Sequence, residues 1–380
     1  MVEDLSIGRI TRLELRVVAL PLRSPFATST GVRARRDVLV VRVDGDDGTG
    51  WGECAAFADP GYTAETIGSA WHAISDLLAP PLARSGTLGE LTKAWSAVPG
   101  ERMAKAALET AVLDLLGRRL DRPLWALLGG QPRRMAAGVA IGVQSSTGAL
   151  LEAVGDALDE GYSQVKLKVQ PGWDVIPVSA VRERFPQLPL WVDANGAYRA
   201  ADLPVLRRLD DLGLSMLEQP LPADDLAGLA RLQSELRVAI CLDESVASPA
   251  DLERAAGAGA GRVLNLKPGR VGGVLAARAL AAQARNLGWD VFVGGTLESS
   301  LGRTACLHLQ TVPEVSLPGD LSAPSRYLAR DLAARELQLD DRGCLPLPEG
   351  PGVGVEVHEE ALAALTQRVE VGWQPKNALR

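Results

Sequence analysis

Charged side chains recur along this chain at a nearly constant interval. Lys168, Asp193, Glu218, Asp243 and Lys267 follow one another roughly every 25 residues, the length of a strand, a loop and a short helix. Each lies at or near the end of a short β-rich run. Eight such runs occur, at 139–142, 165–169, 190–194, 215–219, 238–243, 263–267, 290–294 and 315–320, each followed by a helical stretch or a loop. A strand–helix unit repeated in this way predicts an α/β protein with a TIM-like barrel.

The first third of the chain reads differently. Alternating residues predict strands at 10–22, 37–43 and 51–55, with a turn at 44–48. Helical patterns follow at 63–78, after a Thr-x-x-Thr start, and at 102–120, where Ala106, Leu108, Ala111, Val112, Leu115 and Leu116 share one face. Strands then helices without alternation predict an α+β unit. The expected division is therefore an α+β domain over 1–130, a barrel over 131–339, and a Gly- and Pro-rich tail over about 340–380 that returns to the first domain.

A chain of 380 residues with 47 % apolar residues can bury a core on this scale. The formal charge of -7 argues against a nucleic-acid binder and against attraction to an anionic membrane surface. No apolar run reaches the roughly 20 residues that span a bilayer, and no early segment has the pattern of a signal peptide. Cys54, Cys241, Cys306 and Cys344 form no C-x-x-C pair and read as reduced, mostly buried thiols of a cytoplasmic protein.

Only six of the 40 basic residues are lysines, and three of these, Lys166, Lys168 and Lys267, fall in or at the end of predicted strands. Arginine keeps its proton at any working pH, whereas a lysine can yield one when its surroundings allow. Functional groups of a TIM-like barrel come from strand C-terminal ends, where this repeat puts its charges. Lys166 and Lys168 are two residues apart and so face the same side of their strand.

Three carboxylates together repel one another unless a cation lies between them. Oxygen ligands favour a hard ion, and Mg2+ suits a small set with open positions; Mn2+ or another divalent ion also fits. Such an ion can hold a substrate carboxylate and stabilise the enediolate formed when the adjacent carbon loses its proton. The ion, a neighbouring lysine and partial burial would lower a lysine base below its ordinary roughly 10.4. Lys168 and Lys267, four strands apart, can flank a substrate on opposite faces.

The ordered motifs resemble the enolase superfamily, in its o-succinylbenzoate synthase / N-succinylamino acid racemase branch. They run from Pro25-Phe26-Ala27-Thr28-Ser29 and Trp51-Gly52-Glu53 through Lys166-Leu167-Lys168, Val192-Asp193-Ala194-Asn195, Glu218-Gln219-Pro220 and Leu242-Asp243-Glu244-Ser245. Asn265-Leu266-Lys267-Pro268-Gly269-Arg270-Val271-Gly272-Gly273, Gly294-Gly295-Thr296-Leu297-Glu298-Ser299 and Leu317-Pro318-Gly319-Asp320 complete the set. No single motif is diagnostic; the set in order, at strand–helix spacing, is.

The resemblance implies a (β/α)7β barrel beneath an α+β N-terminal capping domain. It implies Asp193, Glu218 and Asp243 as Mg2+ ligands, Lys168 and Lys267 as acid/base residues, and 24–31 as a mobile loop that closes over the substrate. It also implies a homo-oligomer acting on a small-molecule carboxylate, and Met where this chain has Thr296. Around these, Lys166 joins the lysine pair, Asn195 and Asn265 support the key residues or make loop hydrogen bonds, and Arg270 binds a substrate carboxylate or caps a helix. Glu298 orients substrate or balances lysine charge, and Phe26 is a lid contact or loop packing. The implied activities are o-succinylbenzoate synthase, a dehydration in menaquinone synthesis, or racemisation of N-succinylamino or other N-acylamino acids. A Schiff-base aldolase and a non-catalytic metal-binding protein compete, but an aldolase has no use for three carboxylates around a metal.

Overall fold

The computed structural model describes residues 2–29 and 31–373. Thr30, within the expected lid loop, and 374–380, within the expected returning tail, lie outside the described residues.

Strands β1 (Ile10–Thr28), β2 (Gly31–Gly45) and β3 (Gly48–Cys54) form an antiparallel sheet. β1 and β2 are longer than the sequence predicts. Their pairing is interrupted between Pro21 and Phe26 and then resumes from Phe26↔Arg33 to Thr28↔Gly31. Pro21 and Pro25 cannot donate to a ladder, which accounts for the interruption. In its described residues the expected loop is thus the outer end of a long hairpin. The helix Arg102–Arg119 packs on this sheet close to its expected bounds. The other expected helix starts at Thr66 rather than Thr63, because Thr66 and Ser69 satisfy each other's backbone N–H groups.

The barrel strands are β4 (Gly138–Ile141), β5 (Gln164–Lys168), β6 (Leu190–Asp193), β7 (Met216–Glu218), β8 (Ala239–Leu242), β9 (Val263–Leu266) and β10 (Asp290–Val293). They lie parallel in sequence order. The eighth run, 315–320, forms no regular strand, since Pro318 has no N–H to offer. It still closes the ring: the N–H groups of Ser316 and Leu317 donate to Val291 O at 2.9 and 3.0 Å, and Gly138 N donates to Gly319 O at 2.9 Å. A last strand, β11 (Thr366–Trp373), pairs antiparallel with β1 at the edge of the first sheet.

Alternation sorts the barrel residues by face. Leu167, Val192, Leu217, Ile240, Leu242, Leu264 and Val291 join the large core shared with the helices. Trp191, Met216, Cys241, Val263 and Phe292 form a separate apolar plug inside the ring. Asp193, Glu218 and Asp243 each lie two residues beyond a plug residue, so the charged layer sits directly above a dry one.

Candidate active site

Strand register levels the charged residues. Lys168 pairs with Asp193 across β5 and β6, and Asp193 with Glu218 across β6 and β7. Asp243 and Lys267 follow the last residues of β8 and β9. Lys166, Lys168 and Lys267 border a single cavity of about 630 Å3, together with Asn195, Phe26 and Thr296. Asp193, Glu218 and Asp243 lie beneath this floor and are 0 % exposed, against 9 % for Lys168 and 6 % for Lys267.

Each amine rests on a carboxylate. Lys168 Nζ lies 2.6 Å from Asp193 Oδ2 and donates to Asn195 Oδ1 at 2.7 Å. Lys267 Nζ lies 2.7 Å from Asp243 Oδ2 and 4.6 Å from the centre of the Tyr62 ring. Lys166 spans Asp193 and Glu218, both at 3.3 Å, and Asp320 at 2.5 Å. Asn265 Nδ2 donates to Glu218 Oε1 at 2.7 Å, and Trp191 Nε1 donates to Glu218 Oε2 at 3.3 Å.

The electrostatics follow from these pairs. Burial opposes the Lys267 ammonium, but Asp243, Tyr62 and Glu218 together outweigh it and hold the amine well above the ordinary lysine range. For Lys166 burial is likewise outweighed, by Asp320, Glu218 and Asp193. With the carboxylates turned onto the amines, both are raised. Burial also opposes the charge of Asp193 and Asp243, yet Lys168 with Lys166, and Lys267 with Arg270, respectively keep the two below the usual carboxylate range. Glu218 goes the other way: burial, then Asp193, push it up to about 8.

Glu218 bears on the fit of a cation. Lys166, at 3.3 Å, does not offset its burial, and its proximity to Asp193 and Asp243 is the crowding a hard divalent ion relieves. The donors are all oxygens, as Mg2+ requires. Among the described residues, however, no three carboxylate, histidine or cysteine side chains converge on one point. Binding therefore requires the carboxylates to rotate away from Lys168, Lys166 and Lys267.

The remaining candidates divide. Asn195, at a φ of +44°, links Lys168 to Glu244, its Nδ2 donating to Glu244 Oε1 at 3.0 Å. Arg270 reaches neither the cavity nor a helix end. It pairs with Asp243 and donates to Val246 O at 2.8 Å and Tyr62 OH at 3.1 Å. Glu298 balances an arginine rather than a lysine: Arg303 Nη2 lies 3.0 Å away, and Thr296 N donates to Glu298 Oε1 at 2.7 Å.

Tyr62 and Asp320 escape the sequence reading. Tyr62 arrives on a loop of the first domain and donates to Asp243 Oδ1 at 2.8 Å. Asp320 carried a usable signal, since it ends the eighth run where the other runs carry their charges. The lid hairpin is latched down. Val143 N donates to Ala27 O at 2.9 Å, and Ser29 Oγ donates to Ala194 O at 3.0 Å. A side chain at Gly142 would come within 2.6 Å of Ala27 O, so this close approach needs glycine.

Comparison with known proteins agrees with this architecture. Residues 149–361 match the model of the enolase C-terminal domain-like family, and residues 11–129 that of the mandelate racemase / muconate lactonizing enzyme N-terminal domain. The chain belongs to the enolase superfamily. Within the superfamily it is 40 % identical to an o-succinylbenzoate synthase of Geobacillus stearothermophilus over 94 % of this chain and 96 % of that one. It is 42 % identical to an N-succinylamino acid racemase of Thermus thermophilus, over 92 % and 95 % respectively. Among solved structures, an enolase superfamily member from Enterococcus faecalis superposes with a TM-score of 0.89 at 38 % identity, covering 96 % of this chain and 100 % of that one. The Geobacillus and Thermus relatives are enzymes, a synthase and a racemase by name. Among the described residues no helix is long and apolar enough to cross a membrane.

Proposed function

We propose that this protein removes the proton from the carbon beside a substrate carboxylate, with Mg2+ as cofactor, and that its reaction is the dehydration of an o-succinylbenzoate synthase in menaquinone synthesis. Racemisation of N-succinylamino or other N-acylamino acids is the second reading, favoured by the 42 % identity to the Thermus racemase. Both reactions open with the same proton transfer. Support comes from two amines, Lys168 at the end of β5 and Lys267 just after β9, that border one cavity from strands four places apart in an eight-part ring.

In this mechanism Lys168, oriented by Asp193 and Asn195, takes the α-proton and delivers it to the departing hydroxyl. Lys267 keeps its ammonium charge beside the forming enediolate; in racemisation it serves the opposite face. Asp193, Glu218 and Asp243 would hold Mg2+. When bound, the ion supplies positive charge beside the substrate carboxylate, where negative charge gathers. The latched hairpin keeps water out. The four cysteines, all free and buried, support a cytoplasmic site of action, and we take the enzyme to be a homo-oligomer.

The test is a side-by-side assay in D2O with the dehydration substrate and with both enantiomers of an N-succinylamino acid. Lys168→Ala is expected to abolish dehydration. Lys267→Ala is expected to block α-proton exchange from one enantiomer and spare part of the other. Equal effects on the two enantiomers would count against amines on opposite faces.

A further inference from the structure

The floor of the cavity accounts for one carboxylate of a substrate. The roof, contributed by the first domain, has a cation of its own. Arg33 lies on β2, paired across the hairpin with Phe26, and both line the cavity. Its guanidinium rests over the Phe57 ring, 3.9 Å from the centre. A planar guanidinium on an aromatic face is held in place while its edge keeps N–H donors to offer.

The other cavity cations are already engaged. Lys166, Lys168 and Lys267 rest on carboxylates. Arg303 lies 3.0 Å from Glu298 and donates to Tyr327 OH at 2.8 Å. Arg326 pairs with Glu160. Among the described residues lining the cavity, Arg33 is the one cation without a carboxylate within ion-pair distance.

We infer that Arg33 takes the second, remote carboxylate of the substrate, so that the site selects a dicarboxylate and rejects neutral analogues of the same shape. This rests on the proton-abstraction reading above. With its reacting end beside the floor amines, a succinyl chain extends toward the roof. There its far carboxylate would lose water and needs a charged partner. The guanidinium fork matches a carboxylate with two parallel hydrogen bonds.

The Mg2+-loaded enzyme tests this by titration with o-succinylbenzoate and with the same molecule carrying an amide in place of its side-chain carboxylate. The wild type is expected to prefer the acid by roughly 10- to 100-fold, the range for a charge-assisted hydrogen-bonded pair. Arg33→Met should lose most of that preference, and Arg33→Lys should keep part of it as charge without the fork. A wild type that binds acid and amide alike, or an Arg33→Met variant with the wild-type ratio, overturns the assignment while α-proton exchange persists. An enzyme that binds neither molecule and exchanges no α-proton refutes the proton-abstraction reading, and the Arg33 assignment with it.

Discussion

Asn265 touches no cavity, yet its Nδ2 fixes one oxygen of Glu218 at 2.7 Å. A side chain at Gly294 would fall 2.2 Å from Asn265 Oδ1, so that glycine protects the arrangement. Gly294→Ala should therefore lower Mg2+ affinity and kcat/KM by roughly 10- to 100-fold, as losses behind a metal ligand do, with an unchanged circular dichroism spectrum. Wild-type affinity in that variant would remove Asn265 from the support of Glu218. Lys166, Lys168, Asp193 and Glu218 were legible because strand alternation and repeat spacing are local patterns. Tyr62 was not, because it reaches Asp243 from 181 positions away on a loop with no periodicity. Arg270 was seen but misassigned: its neighbours in sequence do not reveal that its target lies on the preceding strand–helix unit.

Among the elements, the hairpin departs most from expectation. The sequence ends its first strand at 22 and the resemblance makes 24–31 a loop, but the pairing that resumes at Phe26 depends on β2, which local pattern does not supply. The helix Leu88–Ser96, with its Thr87–Glu90 capping box, was likewise missed, being short. Ser29→Ala removes the latch to Ala194 O. One hydrogen bond contributes about 1 kcal/mol, so the Val143 amide, which is bonded to the same hairpin, should exchange its hydrogen roughly fivefold faster. Unchanged exchange would mean that the tip is held by other contacts. The helix Val274–Asn286 depends on the first domain, for Glu109 accepts from Val274 N at 2.6 Å and from Leu275 N at 3.3 Å. Removing that acceptor strands two buried donors, so Glu109→Ala should cost about 1–3 kcal/mol in denaturant unfolding, and Glu109→Gln less.

The whole molecule is joined at His308. Its Nδ1 accepts from Trp125 N at 3.3 Å, and its Nε2 lies 3.1 Å from Val353 O. Burial lowers its pKa from 6.5 to about 4. The unfolded chain therefore takes up a proton first as pH falls. Stability from this group is intact above pH 6.5 and declines toward pH 4, by about 3 kcal/mol in total. Wild type should lose that advantage over His308→Gln between pH 7 and 4.5 in urea unfolding; a constant difference would place the acid sensitivity elsewhere. EDTA should abolish proton exchange and added Mg2+ restore it; exchange that survives chelation would remove the metal from the mechanism. At this scale the repeat made the barrel readable, whereas the way Ser316, Leu317 and Gly319 close it without a regular strand depends on backbone partners at Val291 and Gly138.

The pairing of β11 with β1 has a consequence during synthesis. The strand begun at Ile10 gains its outer neighbour only when the ribosome has made Thr366–Trp373. The barrel can close on the nascent chain well before that. Until then the first domain carries an open edge, so a premature stop shortly after Leu365 should spare the barrel and leave the roof of the cavity exposed to proteases and aggregation.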